Sequence, residues 1–336
     1  MKEIQAIVGA LIRGRAQPAA LATLVSVTGS SYRRPGARLL LLADGTHVGS
    51  ISGGCLEQDV IERAQRVLTR REPDTVVYDT TSENDIVWGV GLGCQGVVRL
   101  LIEPLPERPA WAVALADNFT ARRPTHLAIT HRHDDPHALG TALTAADAVS
   151  SANVFVQLVP PPVRLVVFGA GDDAQPLVRF ATELGWETIV ADPRATFASP
   201  ARFPSAARLV VQPPDQLADA AGLDAHSLVV VMTHHYVHDL PLLRALLPRP
   251  LAYLGLLGPR KRADRILADL AAGGLTLSSA DRARLHAPIG LDLGADGPEQ
   301  VALAIVAEIQ ACLAQRSAAP LHQVFATPES VRLSIH

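Results

Sequence analysis

The sequence predicts an α/β protein with an N-terminal mixed α/β domain followed by a C-terminal doubly wound parallel-sheet domain. Its 336 residues exceed the length of one typical domain. After residue 162, continuous Val, Leu and Ile runs of strand length are typical of parallel strands covered on both faces. The triproline at 160–162 indicates a linker. We therefore expect an N-terminal domain at 1–105, a connecting α/β segment at 106–162 and the C-terminal domain at 163–336.

Composition excludes several classes of protein. Hydrophobic residues make up 48% of the chain and charged residues 19%, which suits buried cores rather than long disorder. The net charge of −3 lacks the basic excess of nucleic-acid-binding proteins, so we expect no nucleic-acid partner. No apolar run approaches the ~20 residues that span a bilayer. Residues 4–12 predict an amphipathic helix rather than a signal peptide, and we expect a cytoplasmic protein without stable membrane association.

In the N-terminal domain, apolar patterns predict a series of strands and one helix. The strands are expected at 19–28, 37–42, 47–51 and 75–78, and the helix at about 55–71. A last strand, VVRLLIE, ends near residue 104. The connecting segment continues the alternation, with a helix in WAVALADNF and strands in THLAITH and NVFVQLV.

The C-terminal domain is predicted from a regular alternation of strands and helices. The expected strands are RLVVFG, TIVAD, ARLVV, SLVVVM and LAYLG. A helix at 298–313 closes the domain. Its inner face is expected to comprise Ala302, Ile305, Val306, Ile309 and Leu313. We interpret Cys312, on the same packed side, as a core residue.

A glycine-rich turn follows the first of these strands. Gly169, Gly171 and Ala174 have the G-x-G-x-x-A spacing, and a helix follows directly. The next strand ends in Asp192, at about the 20-residue distance where an acidic residue can contact a ribose. The glycines let a phosphate approach the backbone, and the helix N-terminus offers free N–H groups. This context predicts a Rossmann-type unit with these four residues as candidate cofactor-binding groups.

Two acidic residues bear on ligand binding at this turn. Asp172 and Asp173 lie where a phosphate would bind. They complement the helix dipole but would repel a pyrophosphate. Asp172 is kept as a candidate cofactor-binding residue. Two interpretations stay open: a turn that binds a phosphate or nucleotide, and a Rossmann scaffold that binds none.

Further candidates follow the fourth and fifth predicted strands, whose carboxyl ends face the crevice where open α/β sheets bind ligands. His234 lies in the segment THHYVHD after the fourth strand. Arg260 and Lys261 lie in the first turn of a helix, where cations oppose the helix dipole and an anionic ligand would offset that cost. Solvated histidines and a solvated basic face are the alternatives.

Two glycine-rich loops of the N-terminal domain each carry a cysteine. Cys55 follows Gly53 and Gly54 at the start of a helix, where thiolate character is favoured, and Glu57 lies in the first turn. The paired glycines leave space for a ligand against the backbone. Cys94 lies in the loop GVGLGCQG, just before a strand. For both cysteines, a small residue in a tight turn is the alternative.

Together these segments resemble the XdhC/CoxI family, accessory proteins that mature molybdenum hydroxylases such as xanthine dehydrogenase. The matching segments in the first domain are VTGSSYRRPGARLLL, VGSISGGCLEQDV and GLGCQGVVRLLIEP. Those in the second are VVFGAGDDAQPLV, VADPR, MTHHYVHDLPLL, AYLGLLGPRKR and HAPIGLDLGADGPEQVALAIVAEI. The resemblance covers nearly the whole chain except about 105 to 160.

The resemblance implies a cofactor chaperone rather than a turnover enzyme. It implies binding of the molybdenum cofactor, as molybdopterin or its cytosine dinucleotide form. It also implies exchange of an oxo for a sulfido ligand with a cysteine desulfurase as sulfur donor, and delivery to the apo-hydroxylase. Cys55 maps to the family's signature cysteine and would contact molybdenum or carry sulfur, with Cys94 and Glu57 as further catalytic candidates. The Rossmann-type domain would hold the phosphate or nucleotide end, and we expect a homodimer.

Two positions depart from the family pattern. Gln95 stands where the second cysteine loop usually has glycine, and Pro259 replaces a serine that often follows the strand-five turn. An NAD(P)-dependent oxidoreductase is the competing enzyme interpretation. A nucleotide-binding redox sensor is a third.

Overall fold

The computed structural model describes residues 1–13, 17–79 and 96–324. The chain divides into two compact units, Met1–Pro162 and Val163–His336, with the boundary directly after the triproline. The segment at 106–162 lies within the first unit. The mixed α/β class and the C-terminal parallel sheet predicted from the sequence are both confirmed.

In the first unit, strands and helices alternate irregularly. The elements are α1 Lys2–Arg13, β1 Ala19–Gly29, β2 Arg38–Leu42, β3 His47–Gly49, α2 Glu57–Arg70, β4 Asp74–Asp79, β5 Gly96–Leu105, α3 Ala110–Thr120, β6 Thr125–Thr130, β7 Gly140–Leu143 and β8 Val154–Val159. Within the described residues they form an antiparallel sheet of order β3-β2-β1-β5-β4 and a smaller antiparallel sheet of order β7-β6-β8.

The larger sheet of the first unit is covered on both faces. Successive β1 residues point to opposite sides, because the side-chain period of a strand is two. Leu21 packs in one core with α1 and α3. Ala20 and Ala22 pack in a second core with α2. This double burial explains why β1 is apolar along most of its length, and it holds the loop before α2 against a rigid sheet.

The second unit is a Rossmann-type doubly wound unit. Its elements are β9 Arg164–Phe168, α4 Ala174–Glu183, β10 Glu187–Ala191, β11 Arg208–Val210, α5 Leu217–Ala220, β12 Ser227–Val231, α6 Tyr236–Leu246, β13 Tyr253–Leu256, α7 Arg260–Ala272, α8 Ser279–Ala283, β14 Leu285–His286, α9 Pro298–Leu313 and α10 Leu321–Val324. The described strands pair in parallel in the order β11-β10-β9-β12-β13-β14.

That order places the topological switch point between β9 and β12, because successive strands are added on one side of β9 up to β11 and on the other side from β12 onward. The loops after these two neighbouring strands therefore meet at the crevice where doubly wound sheets bind ligands. Alternate residues of β9 pack on opposite faces: Val167 joins the core with α4 and α9, and Val166 joins the core with α6 and α7. The sheet is thus a fixed platform for the loops at its carboxyl edge.

The end of α9 differs from the prediction. Ala302, Ile305, Val306 and Ile309 are buried as expected, but Cys312 and Leu313 are exposed. The interpretation of Cys312 as a core residue was therefore wrong. Helical spacing places Leu313 on the same face as Ile309, but the surface that packs against the rest of the unit ends before the last turn of the helix. The periodicity of the sequence does not predict where that packing ends.

Candidate functional site

The Cys55 loop connects β3 to α2. Helix α2 begins at Glu57 with Leu56 as its N-cap, so Cys55 lies just ahead of the helix rather than in its first turn. Its thiol is exposed. Gly54 has a φ of +112°, which favours glycine, and this turn carries the chain from Gly53 to Cys55. The loop therefore presents a single thiol to solvent at a defined place.

Glu57 and Ser52 hold this loop. The Glu57 carboxylate accepts hydrogen bonds from the Ser50 hydroxyl (2.8 Å), the Ser52 N–H (2.7 Å), the Ile51 N–H (3.2 Å) and the Ser52 hydroxyl. The Ser52 oxygen in turn accepts from the N–H groups of Gly54 (3.2 Å) and Leu56 (3.1 Å). These bonds close the loop on both sides of the cysteine.

The same bonds control the ionisation of Glu57. Partial burial raises the pKa of its carboxyl, but the hydrogen bonds from Ser52 and Ser50 together outweigh burial and lower the pKa to about 2. Glu57 is therefore an anionic acceptor at neutral pH. In this arrangement it positions the loop, and its acceptor capacity is used within the protein.

Beside Cys55 lies a small pocket of about 30 Å³, with Ser31, Tyr32, Ser52 and Gly96 among its lining residues. Its volume is that of one small group rather than of a whole cofactor. The Tyr32 side chain is 72% exposed and lies against Gly53, where an added side-chain carbon would meet the ring at 3.7 Å. Cys94 and Gln95, the predicted second loop, lie outside the described residues.

A larger cavity of about 490 Å³ also borders Tyr32, and it is rich in arginine. Arg33 pairs with Glu3 at 2.7 Å, whereas Arg34 is exposed. Arg38 is 1% exposed, and its Nη1 donates to the Gly36 carbonyl at 3.0 Å. Its Nε and Nη2 atoms are without a hydrogen-bond acceptor in the part of the chain that the structure describes. Burial lowers the pKa of Arg38 to about 10, so the guanidinium stays charged at neutral pH.

In the second unit, the glycine turn after β9 has the tight geometry that its spacing predicts. Gly169 has a φ of +110°, and an added Cβ would lie 2.5 Å from the Met232 carbonyl oxygen. Only glycine fits at this approach of two strand ends. Helix α4 begins at Ala174, and its N-cap Asp173 makes no side-chain capping bond. The structure thus brings Gly169, Gly171 and Ala174 together at the crevice.

Asp192 lies directly after β10, and its carboxylate accepts four hydrogen bonds from within the unit. Its oxygens accept from the Ala170 N–H (2.9 Å), the Arg194 N–H (2.9 Å), and Nε (2.9 Å) and Nη2 (2.8 Å) of the Arg194 side chain. Burial raises the pKa of Asp192, but these bonds outweigh it and hold the pKa below its usual value. Four bonds fill the acceptor sites of a carboxylate, and none is left for a ribose hydroxyl.

Each of the two acidic residues of the turn contacts a side chain from another loop. Asp173 lies 2.6 Å from Nε2 of His234, a contact that joins the loops after β9 and β12. Asp172 pairs with Arg202 at 2.8 Å. His234 has a φ of +63°, uncommon for a non-glycine residue. The Arg202 guanidinium therefore reduces the repulsion that the sequence predicts between Asp172 and a phosphate.

The basic side chains in the first turn of α7 point in different directions, two toward solvent and one toward the protein. Arg260 and Lys261 are exposed. Arg262 turns inward, with Nη1 donating to the His234 carbonyl (3.2 Å) and Nη2 lying 3.5 Å from Oδ2 of the fully buried Asp239. Burial raises the pKa of Asp239, against the opposing effects of the Thr233 hydrogen bond and Arg262. Arg262 therefore supports the His234 loop.

A cavity of about 380 Å³ opens at this edge of the second unit. Its lining includes Gly169, Asp192, Arg194, Thr233 and His235. The Arg194 guanidinium lies 3.8 Å from the centre of the Phe197 ring. The volume falls in the range of small-molecule sites. Arg194 was not among the predicted site residues, although its position two residues after Asp192 was the available signal.

Neither a clustered metal site nor a membrane-spanning helix occurs in the part of the chain that the structure describes. Residues 1–13, 17–79 and 96–324 contain no group of three or more His, Cys, Asp or Glu side chains arranged to hold a metal ion. Over the same residues, no helix combines the length and apolar character needed to cross a membrane.

A cysteine loop on a mixed α/β unit, followed by a doubly wound unit with a glycine turn, defines a two-unit Rossmann-type protein. Residues 165–309 match the XdhC Rossmann domain profile, and residues 12–79 match the XdhC and CoxI family profile. The chain belongs to the XdhC and CoxI family.

Two relatives and one solved structure are similar to this protein over most of its sequence. A Bacillus subtilis protein, named as a probable xanthine dehydrogenase subunit, is 31% identical over 314 residues, covering 87% of this chain and 92% of that protein. The Escherichia coli molybdenum cofactor insertion chaperone PaoD is 25% identical over 304 residues, covering 90% and 85%. A Bacillus halodurans crystal structure described as a xanthine dehydrogenase is 32% identical, with a TM-score of 0.80, covering 95% and 98%.

Proposed function

We propose that this protein binds the molybdenum cofactor, supports its sulfuration and inserts it into a xanthine dehydrogenase-type molybdenum hydroxylase. The observation that carries the proposal is the exposed Cys55 thiol on a loop closed by Ser52 and Glu57. A relative over most of the chain is named a molybdenum cofactor insertion chaperone. This points to a carrier rather than a turnover enzyme.

The residues of the first unit suit the two ends of such a cofactor. A thiolate suits a thiophilic metal, and Cys55 is the candidate ligand to molybdenum. An anionic phosphate suits a guanidinium, and the exposed Arg34 at the arginine-rich cavity supports this assignment. When bound, the cofactor supplies the molybdenum centre whose oxo ligand is exchanged for sulfido. The protein's part is to bind it, orient it and exclude water.

Partners complete the proposal. A cysteine desulfurase supplies the sulfur, the apo-hydroxylase receives the cofactor, and the working form is a cytoplasmic homodimer. Co-elution of the purified protein with each candidate partner, and its mass by light scattering, test these assignments separately from cofactor binding.

The test is retention of the cofactor. The protein is incubated anaerobically with molybdenum cofactor and desalted, and the molybdenum and the fluorescence of the oxidised pterin are then measured. We expect near-stoichiometric retention by the wild type and a loss of at least about tenfold in Cys55→Ser, because loss of even an outer-shell partner of a metal ligand costs about that much. Cys312→Ser removes the exposed thiol of the second unit and should retain as much as the wild type. Equal retention by both variants would exclude the role of Cys55.

The cavity of the second unit favours a second function, binding of a nucleotide. Its position at the carboxyl edge of the sheet and the Arg194 guanidinium support a phosphorylated ligand. The engaged carboxylate of Asp192 disfavours the ribose contact of an NAD-dependent oxidoreductase. Titration with NAD(H) and NADP(H), followed by fluorescence, tests this. No binding at millimolar concentration would remove the oxidoreductase, and binding without turnover or molybdenum would favour a nucleotide sensor.

A further inference from the structure

The exposed cysteine at the end of α9 is part of a cluster on the second unit. The Cys312 Sγ atom lies 4.0 Å from Nε2 of His286, the last residue of β14. Nδ1 of the same ring lies 3.1 Å from Oε1 of Glu308, one helical turn before the cysteine. A thiol, an imidazole and a carboxylate thus stand in the order nucleophile, base and orienting group.

Glu308 is held so that it orients the histidine. Its Oε2 accepts from the Tyr253 hydroxyl (2.6 Å) and from the Gly290 N–H (2.9 Å). The Tyr253 ring stacks on His286 with 4.4 Å between ring centres. Burial raises the pKa of Glu308, but the hydrogen bonds from His286 and Tyr253 outweigh it and keep the carboxyl ionised. A carboxylate at Nδ1 places the ring proton there and leaves the Nε2 lone pair toward Cys312.

The thiol itself is not activated by its surroundings. Partial burial, followed by the Glu308 carboxylate, raises its pKa. The titratable groups that face it are His286 from β14 and Glu308 from its own helix, with Tyr253 from β13 behind Glu308. At neutral pH a base that accepts the thiol proton therefore speeds reaction at Cys312, and His286 Nε2 lies 4.0 Å from Sγ.

We propose that Cys312, His286 and Glu308 form a thiol-exchange site that accepts small disulfides. Sγ attacks one sulfur of the disulfide while its proton passes to Nε2 of His286. The disulfide S–S bond breaks as the new S–S bond to Cys312 forms, and the leaving thiolate takes the proton from the imidazolium. The products are a mixed disulfide at Cys312 and one free thiol, and the incoming disulfide is the oxidant.

This site shares no residue with the proposed cofactor site at Cys55. It also explains an arrangement that packing alone does not require. The cysteine is exposed, whereas the groups behind it are held by three hydrogen bonds and a ring stack.

The test measures the reactivity of Cys312 alone. In Cys55→Ser/Cys94→Ser protein, Cys312 is the remaining one of three cysteines, and its reaction with dithiobis(nitrobenzoate) releases a coloured thiolate. We expect His286→Gln to slow the reaction at pH 7 by roughly 10- to 100-fold, and Glu308→Gln to slow it less. His226→Gln, an exposed histidine elsewhere in the unit, is the matched control and should react as the parent does.

The pH dependence separates a base from a merely structural residue. Above the pKa of the thiol no base is needed, so the rates of the parent and His286→Gln should converge. A rate for His286→Gln within twofold of the parent at pH 7 would overturn the proposal, and so would a deficit that persists at high pH. In the unaltered chain, oxidised glutathione and mass spectrometry of the Cys312 peptide give the same comparison without the background substitutions.

Discussion

At the residue scale, a polar side chain can bind a ligand only if its hydrogen-bond donors and acceptors are not already paired within the protein. Glu57 and Asp192 look similar in sequence, as acidic residues near glycine-rich loops, and both have their carboxylates occupied by internal hydrogen bonds. They position loops, whereas the Cys55 thiol and the Arg34 side chain are exposed to solvent and can meet a ligand.

Glu57→Ala tests this positioning role. Removal of the carboxylate leaves the Ile51 N–H and the Ser52 N–H and hydroxyl without this acceptor, so we expect a loss of about 2 kcal/mol in the free energy of unfolding. Urea unfolding measures it. Glu62→Ala, on the exposed side of the same helix, is the control and should change stability by less than about 0.5 kcal/mol. Equal stabilities of the two variants would contradict the role.

At the scale of elements, the loops after β9 and β12 form one site because their strands are neighbours in a parallel sheet. Gly169 marks the closest approach, where the chain turns against the Met232 carbonyl. The Asp173–His234 contact and the Arg262 bond to the His234 carbonyl then link both loops to α7. The edge is therefore built from three elements that are distant in sequence.

Gly169→Ala should disrupt this edge. The added Cβ meets backbone atoms at 2.5 Å, and φ lies at +110°, so we expect a loss of about 2–3 kcal/mol in unfolding free energy. Gly274→Ala is the matched control. Gly274 also has a positive φ of +86°, but no atom lies within 4 Å of the added carbon, so only the conformational cost of about 1 kcal/mol is expected. Thermal denaturation of both variants gives the comparison, and equal losses would refute the backbone clash.

At the scale of the whole molecule, both units carry carboxylates with lowered pKa values. Glu57 in the first unit titrates at about 2 instead of 4.5, and Asp192 and Glu308 in the second also lie below their usual values. A lowered pKa contributes stability that is present above the unfolded-state value and lost as pH falls through the folded-state value. Burial raises the pKa of Glu103 and Asp239, and these two contribute in the opposite direction.

Acid should therefore destabilise the protein, with the Glu57 contribution lost between pH 4.5 and about 2. Urea unfolding across this range should show wild-type stability falling. Glu57→Gln cannot titrate at this position, so its deficit relative to the wild type should shrink as pH falls. A deficit that stays constant down to pH 2 would mean that Glu57 is not ionised preferentially in the folded state.

The sequence alone was sufficient for the α/β class, the parallel sheet and the family, because strand periodicity, glycine spacing and the SGGCLE segment are local patterns. The sequence also placed Gly169, Gly171 and Ala174 in one turn, since a strand, a turn and a helix follow one another directly. The roles proposed from it for Cys55 and the other site residues stay predictions.

Only the tertiary structure decided which polar groups meet. The Arg194 guanidinium donates to the Asp192 carboxylate, the His234 ring contacts Asp173, and Cys312 faces His286 at the surface rather than in the core. The last two pairs join residues far apart in the chain, and even the local Asp192–Arg194 pair depends on how the β10 loop folds against the glycine turn. Whether a side chain is buried, and whether its hydrogen bonds are all made, depends on where the neighbouring helices and strands begin and end. The periodicity of a sequence predicts the faces of these elements but not where their packed surfaces stop.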